Sequence, residues 1–243
     1  MSLETEIAAL VVANNKLIDY FNGKKAAIES AVSQAIAAAP TMVRAYWVDQ
    51  QLGDDANGLG TEASPFKTIQ QAVNSAPDGG RVQVWLSKDY VLDKHITTAG
   101  RRVIIAGATG AGRKLTCNEF IPEGDTLLRM GSFWLSNDST VQFVNLTVSL
   151  PASSAGDLSA YYALIFASGS SAPIMMQARF YNCAFELRGT FRGKVFGPGS
   201  VLFALSMIGT AVPSALNGAL VPGIAAGTLS KDVGHVITNL SSL

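Results

Sequence analysis

Residues 46–92 read YWVDQQLGDDANGLGTEASPFKTIQQAVNSAPDGGRVQVWLSKDYVL. Tyr46-Trp47-Val48-Asp49 has the aromatic and β-branched character of a strand, and the Gly, Asp and Asn cluster after it is turn material. Ser64-Pro65-Phe66-Lys67-Thr68-Ile69 then leads into a short helix over Thr68 to Ser75. In it Phe66, Ile69, Ala72 and Val73 share one apolar face while Gln70 and Gln71 point away. Ala76-Pro77-Asp78-Gly79-Gly80 breaks the helix. Beyond the break Val82, Val84 and Leu86 alternate with Gln83, Trp85 and Ser87, the period of a strand with one buried face.

The same grammar continues downstream. Short β-branched or aromatic runs fall at 102–106, 126–129, 132–135, 140–144, 146–148, 163–167, 178–181 and 184–187, separated by Gly, Ser, Asn and Asp. Two of them carry a similar phrase. Phe143-Val144-Asn145-Leu146 and Phe180-Tyr181-Asn182-Cys183 each place Asn between strands, as a weak internal repeat in which a buried Asn ladders its amide on the next copy. The polar run Pro151 to Ala160 lengthens the interval.

Upstream, residues 1–40 have a different pattern. Ile7, Asn14, Phe21, Ile28 and Ala35 fall on one seam position, and Leu3, Leu10, Leu17, Lys24, Ala31 and Ala38 on the other, a heptad that calls for partner helices. Gly23 and Lys24 are expected to loosen it, and Pro40 to end it. Downstream, no charged residue lies between Val195 and Ser230. This segment is expected to be covered by another subunit, by the end of the β domain or by a further protein. The chain thus divides into 1–40, 41–193 and 194–243.

Bulk composition sets bounds. The 243 residues are 48% hydrophobic and 15% charged, against ~25% charged in an ordinary domain. A surface this poor in charge favours burial between subunits. Eighteen basic and eighteen acidic residues balance to zero, so neither nucleic acid nor an anionic membrane is an expected partner. The glycine and proline breaks after Val195 exclude a membrane span there. The start, Met-Ser-Leu-Glu-Thr-Glu, is acidic and carries no secretory signal pattern. Cys117 and Cys183 read as buried thiols, with a disulfide as the alternative.

The order strand, Gly/Asp turn, Pro65-Phe66-Lys67-Thr68-Ile69 helix and alternating strand resembles the opening of the pectate-lyase-like right-handed parallel β-helices of bacteriophage tailspikes and tail fibres. The resemblance is best over Tyr46 to Ala106. It implies a mainly β fold: a short right-handed parallel β-helix over 41–193, a short helix capping its first turn, and an N-terminal α-helical coiled coil that makes a trimer. It further implies a structural virion protein, a fibre subunit that attaches to the host or connects other fibre parts. Its partners would be its own copies, other tail, baseplate or fibre proteins, and a host surface glycan. The alternative is a depolymerase, glycosidase or lyase, cutting that glycan. A cellular adhesin of similar build is a third option.

No constellation stands out as a catalytic, cofactor or metal site. Gly107, Gly110 and Gly112 with Arg113 and Lys114 fall one residue short of a phosphate loop, and the sequence after them reads as a strand rather than the helix a pyrophosphate needs. Asp49, Asp54, Asp55 and Asn57 are oxygen-rich enough for calcium but miss the EF-hand spacing, so turn formation is expected. Glu119, Glu123, Asp125, Asp138, Asp157 and Glu186 are the carboxylates available to a glycosidase, and Arg179, Arg188 and Arg192 the bases available to a lyase, without clustering. His95 and His235 stand apart. Trp134, Tyr161 and Tyr162 are the aromatics suited to stacking on sugars, or to packing. The expectation is therefore no enzymatic activity and no cofactor.

Overall fold

The computed structural model describes residues 2–38, 42–108, 112–154 and 157–243. The chain separates into two compact units, Met1–Thr41 and Met42–Leu243.

The first unit is one helix, α1 (Leu3–Ala38), 36 residues long. Gly23 and Lys24 do not interrupt it, because the good helix formers around them carry the ladder through a single glycine. Within this chain its apolar side chains stand in solvent: Leu3 is 73% exposed, Leu10 70% and Phe21 61%. Pro40, the expected stop, lies outside the described residues.

The second unit begins with β1 (Val43–Val48) and α2 (Ile69–Asn74), followed by β2 (Arg81–Leu86), β3 (Tyr90–Leu92), β4 (His95–Thr97), β5 (Arg102–Gly107) and β6 (Arg113–Cys117). A two-stranded antiparallel flap, β7 (Glu119–Phe120) and β8 (Arg129–Met130), comes next. Then follow β9 (Ser132–Leu135), β10 (Thr140–Val144), β11 (Leu146–Leu150), β12 (Ala163–Ala167), β13 (Met175–Tyr181), β14 (Ala184–Leu187), β15 (Lys194–Phe196), β16 (Leu202–Ile208) and β17 (Val236–Thr238). Three parallel sheets result. Sheet A has the order β1-β2-β5-β10-β13-β16-β17, sheet B β14-β11-β6-β3 and sheet C β15-β12-β9-β4. From β2 to β15, successive circuits of the chain add one strand to A, one to B and one to C; β16 and β17 both join A.

Register turns the sequence alternation into rows. Val82, Val103, Val141, Ala178 and Leu205 lie side by side across sheet A, and so do Val84, Ile105, Phe143, Phe180 and Met207. All ten are buried. Phe143 lies flat on Phe180 at 4.8 Å between ring centres, and Phe133 of sheet C meets Phe143 edge-on at 5.4 Å. These contacts join two sheets into one core, and aromatic pairs of this kind add ~1 kcal/mol each beyond their burial.

α2 takes the expected place. Thr68 caps it by accepting from the Gln71 N–H at 3.1 Å, and Ile69, Ala72 and Val73 are fully buried, with Phe66 6% exposed. Gln70 does more than face outward: its amide donates to the Thr97 carbonyl and accepts from the Thr97 N–H. That pair fastens α2 to β4.

The expected class, a short right-handed parallel β-helix ending near residue 193 behind a coiled coil, is corrected. The described residues form a fold with α and β elements, built on a seven-stranded parallel sheet, with two helices of which the long one is N-terminal. No coiled coil occurs among the described residues. A heptad seam states what a helix needs and not what supplies it. Sheet formation also runs past 193, through β15, β16 and β17. Val195, Phe196, Phe203, Leu205, Met207, Leu220 and Val221 are buried within this chain, so they need no other subunit to cover them.

The Asn repeat is corrected as well. Asn145 and Asn182 are exposed, not buried, and hold φ of 53° and 50° at the corners after β10 and β13. Asn tolerates this left-handed conformation, and Gly209 takes the equivalent corner after β16 at φ 60°. A side chain at Gly209 would strike the Asn182 amide oxygen at 2.2 Å.

Candidate binding face on the seven-stranded sheet

The residues between the buried rows of sheet A point outward. One outward row is Arg81, Arg102, Thr140, Gln177 and Ala204; the next is Gln83, Ile104, Gln142, Arg179 and Ser206; a third is Trp47, Trp85, Ala106, Val144, Tyr181 and Ile208. Trp47 and Trp85 stack at 6.0 Å, and the Arg179 guanidinium sits 5.1 Å over the Tyr181 ring. Two adjoining hollows mark the surface. One, of about 290 Å³, lies over Gln142, Arg179 and Ser206. The other, of about 570 Å³, lies over Arg102, Asp138 and Met175, and both share Thr140, Gln142 and Gln177. At the far edge Asn239 is occupied, bonding the Met207 N–H at 2.8 Å and carbonyl at 2.7 Å.

Among the described residues, the side chains of Arg81, Arg102, Thr140, Gln142, Gln177, Arg179 and Ser206 make no hydrogen bond or ion pair within the chain. A row of donors and acceptors served only by water is suited to an extended ligand rich in hydroxyls, with the aromatic row beside it for ring faces.

Sheet C presents the opposite case. Its outer side is closed by the β7–β8 flap. Phe120 meets His95 edge-on at 4.9 Å, and Phe166 packs on His95 at 4.8 Å, on Trp134 at 5.9 Å and on Tyr161 at 5.1 Å. Arg129 lies 5.8 Å over the Tyr161 ring and holds Asp125 at 2.7 Å. Burial, with Arg129 nearby, pushes the His95 imidazole down to about 4, so it is neutral at pH 7. Its Nδ1 lies 2.6 Å from Ser132 Oγ. Trp134 and Tyr161, candidates for sugar stacking, are thus drawn into a packed aromatic cluster.

The remaining candidates have structural partners. Asp49 accepts from the Gln51 and Leu52 N–H groups and pairs with Lys88 at 3.4 Å. Burial opposes its charge, but these groups win and hold its pKa low. Asp54 binds Ala56 and Asn57, and Asp55 binds the Lys67 and Thr68 N–H groups and the Thr68 hydroxyl. Their oxygens organise turns, and no group of His, Cys, Asp or Glu among the described residues forms a metal cluster. The segment after the glycine loop is β6 rather than a helix, and residues 109–111 of the loop, Gly110 among them, lie outside the described residues. Cys117 and Cys183 are free buried thiols, and burial pushes Cys117 up to about 12. His235 is exposed, beside Phe203.

The carboxylates are spread over separate contacts. Glu186 pairs with Lys114 at 2.7 Å, which holds its pKa low, and the Leu127 N–H, Arg129 and the Thr126 N–H do the same for Asp125. Glu119 accepts from the Tyr162 hydroxyl at 2.5 Å and the Ser154 N–H at 3.0 Å. Burial, then Glu119, raises the Tyr162 phenol above its usual range. Arg188 bonds the Asn118 amide and the Cys117 carbonyl. Arg192 supplies its backbone N–H to Ser153, and Glu123, Asp138 and Asp157 are exposed. Of the three basic candidates only Arg179 faces the open sheet. The other outward arginines, Arg81 and Arg102, escape sequence reading because their alignment depends on register across strands far apart in the chain.

No family model matches the chain, and no curated protein matches it. Two solved structures are similar, both of the GH136 lacto-N-biosidase from Eubacterium ramulus. The native protein matches with TM-score 0.36 and 14% identity over 69% of this chain, and the selenomethionine derivative with TM-score 0.37 and 16% identity over 70%. The chain spans less than a third of their length, 30% and 31%. Similarity this weak carries no argument for a particular fold or activity. Both are of an enzyme by name, and the expectation that the chain is not an enzyme is withdrawn.

Proposed function

We propose that the chain is a subunit of a bacteriophage tail fibre acting in host attachment, and that the outer face of sheet A meets a glycan on the host surface. The observation that carries this reading is the open sheet face, where seven polar side chains lack partners among the described residues beside two connected hollows and an aromatic row. Sugars present hydroxyl groups and ring faces together, which matches that mixture. α1 supports the assembly part of the proposal. A helix exposing Leu3, Ile7, Leu10, Leu17, Phe21 and Ile28 along one seam loses apolar area from water when copies meet, at ~25 cal/mol per Å². Three copies joined through α1, and a contact with other tail or baseplate proteins, complete the proposal.

Gold-labelled antibody against the chain should decorate the tails of phage particles in a lysate of the producing cells, and purified chain should coat susceptible cells. Label confined to cell debris would contradict the virion assignment. Light scattering should give a trimer mass that falls to a monomer when residues 2–38 are removed. An unchanged mass would remove α1 from the assembly.

Depolymerisation of the bound glycan is the second reading. Its candidate acid is Glu119, which accepts from the Tyr162 hydroxyl at 2.5 Å. Reducing ends released from host polysaccharide by the parent protein, and not by Glu119→Gln, would establish it.

A further inference from the structure

We infer that the ligand of the sheet A face is an anionic glycan, a polysaccharide bearing carboxylate groups. This inference rests on the glycan-binding reading above and narrows it.

The chain is electrically balanced as a whole, yet its largest sheet is not. The charged residues in the seven strands of sheet A are Arg44, Arg81, Arg102 and Arg179, with no Asp or Glu. Arg81 and Arg102 are direct neighbours in register, which places two like charges on strands ~4.8 Å apart. Like charges directly opposite each other destabilise a sheet. Elsewhere in the molecule such cost is relieved: Lys114 of β6 has Glu186 of β14 at 2.7 Å, Arg101 has Asp78 at 2.8 Å, and Arg129 has Asp125. Arg81, Arg102 and Arg179 have no such partner among the described residues. All three are exposed and outward, and Arg102 and Arg179 each line one of the two hollows; Asp138, from the turn before β10, is the acid lining the Arg102 hollow, so the face keeps an excess of positive charge.

The placement also constrains the ligand. Arg102 and Arg179 sit two strands apart, with β10 between them, so their bases are separated by ~10 Å across the sheet. Arg179 lies in the next outward row, two residues or ~7 Å further along the strands, so a bound chain that meets Arg81 and Arg102 ~5 Å apart must run obliquely to reach Arg179, with Thr140, Gln142 and Gln177 for its hydroxyls. An arginine fork receives a carboxylate with two parallel hydrogen bonds. A nucleic acid fits less well, because a phosphate-tracking groove needs cations along its whole course and this face has three.

The test uses the full chain on an array of neutral and carboxylate-bearing bacterial polysaccharides, with a single-stranded oligodeoxynucleotide as a further probe, at low and high salt. Carboxylate-bearing polymers should be the binders, with retention falling steeply as salt rises. Arg102→Gln combined with Arg179→Gln should weaken that binding by ~tenfold or more, while Arg44→Gln, on the edge strand in line with the inward row, leaves it near the parent value. Thermal melting of each variant confirms that it is folded. Equal binding to neutral and acidic polymers would overturn the inference and leave the glycan reading standing. Binding to no polysaccharide, or to the oligonucleotide in preference, would overturn both.

Discussion

Sheets A and C are built by the same circuits of chain, and their inward rows meet in one core where Phe133 touches Phe143. Their outer faces have opposite fates. Sheet C is closed by a flap, and its aromatic residues pack on one another and on a neutral His95. Among the described residues sheet A has no such flap: Ile104 and Ala106 at its centre are buried, and the polar side chains around them make no hydrogen bond or ion pair. A parallel sheet is ordinarily covered on both faces. One without a flap, carrying arginines that have no ion pair among the described residues, is therefore the informative exception, and the covered face shows what the same construction does when stability alone is served.

The comparison can be broken by mutation. Phe166→Ala on the closed face removes a 2% exposed ring that contacts three aromatic neighbours and should cost about 3–5 kcal/mol in denaturant unfolding. A loss below ~1 kcal/mol would mean the flap side is loosely packed, and the contrast would fail.

Acid sharpens it further. His95 has a folded value of about 4 against 6.5 unfolded, so the unfolded chain binds the extra proton between those values. Stability should fall as pH drops from 6.5 towards 4 and level off below, by at most about 2 kcal/mol after allowance for solvent screening. Asp125 and Glu186, whose pKa values are lowered, add losses only at more acid pH. His95→Asn should flatten the slope between pH 6.5 and 4. A slope that persists in this variant would place the titrating group elsewhere.

The smallest stability effect belongs to the open face. Gln142→Ala should change unfolding free energy by ~0.5 kcal/mol or less and Arg179→Gln by less than ~1 kcal/mol, because neither side chain makes a hydrogen bond or ion pair among the described residues and Arg179 loses only its exposed contact with the Tyr181 ring. A cost above ~1 kcal/mol would reveal an intramolecular role and weaken the case for a ligand.

Much of the body was legible. Val82, Val84 and Leu86 announce their strand by alternation, and Ile69, Ala72 and Val73 their helix by spacing, since both signals are local; Phe66, expected on that helix, is buried instead in a β-bridge with Val48 ahead of it. The end of the chain was misread for a physical reason. Between Val195 and Leu229 the lack of charge and the Pro and Gly breaks outweighed the alternation of Phe203, Leu205 and Met207, which is the β16 signal. The heptad of α1 was read as a coiled coil although a seam names a need rather than a partner. The arginines of this face were not legible at all: Arg81 and Arg102 become neighbours, and Arg179 joins their face one row on, only when the register of β2, β5, β10 and β13 is known.

Hydroxyl-radical footprinting tests the central claim most directly, because Met, Tyr and Trp report on side-chain access at both faces. With the tightest-binding polysaccharide at saturation, Met175 and Tyr181 on sheet A should be protected, while Trp134 and Tyr161 on sheet C should oxidise as in the free protein. Protection of Trp134 and Tyr161 with Met175 and Tyr181 unchanged would contradict the account and move the binding site to the face here described as closed.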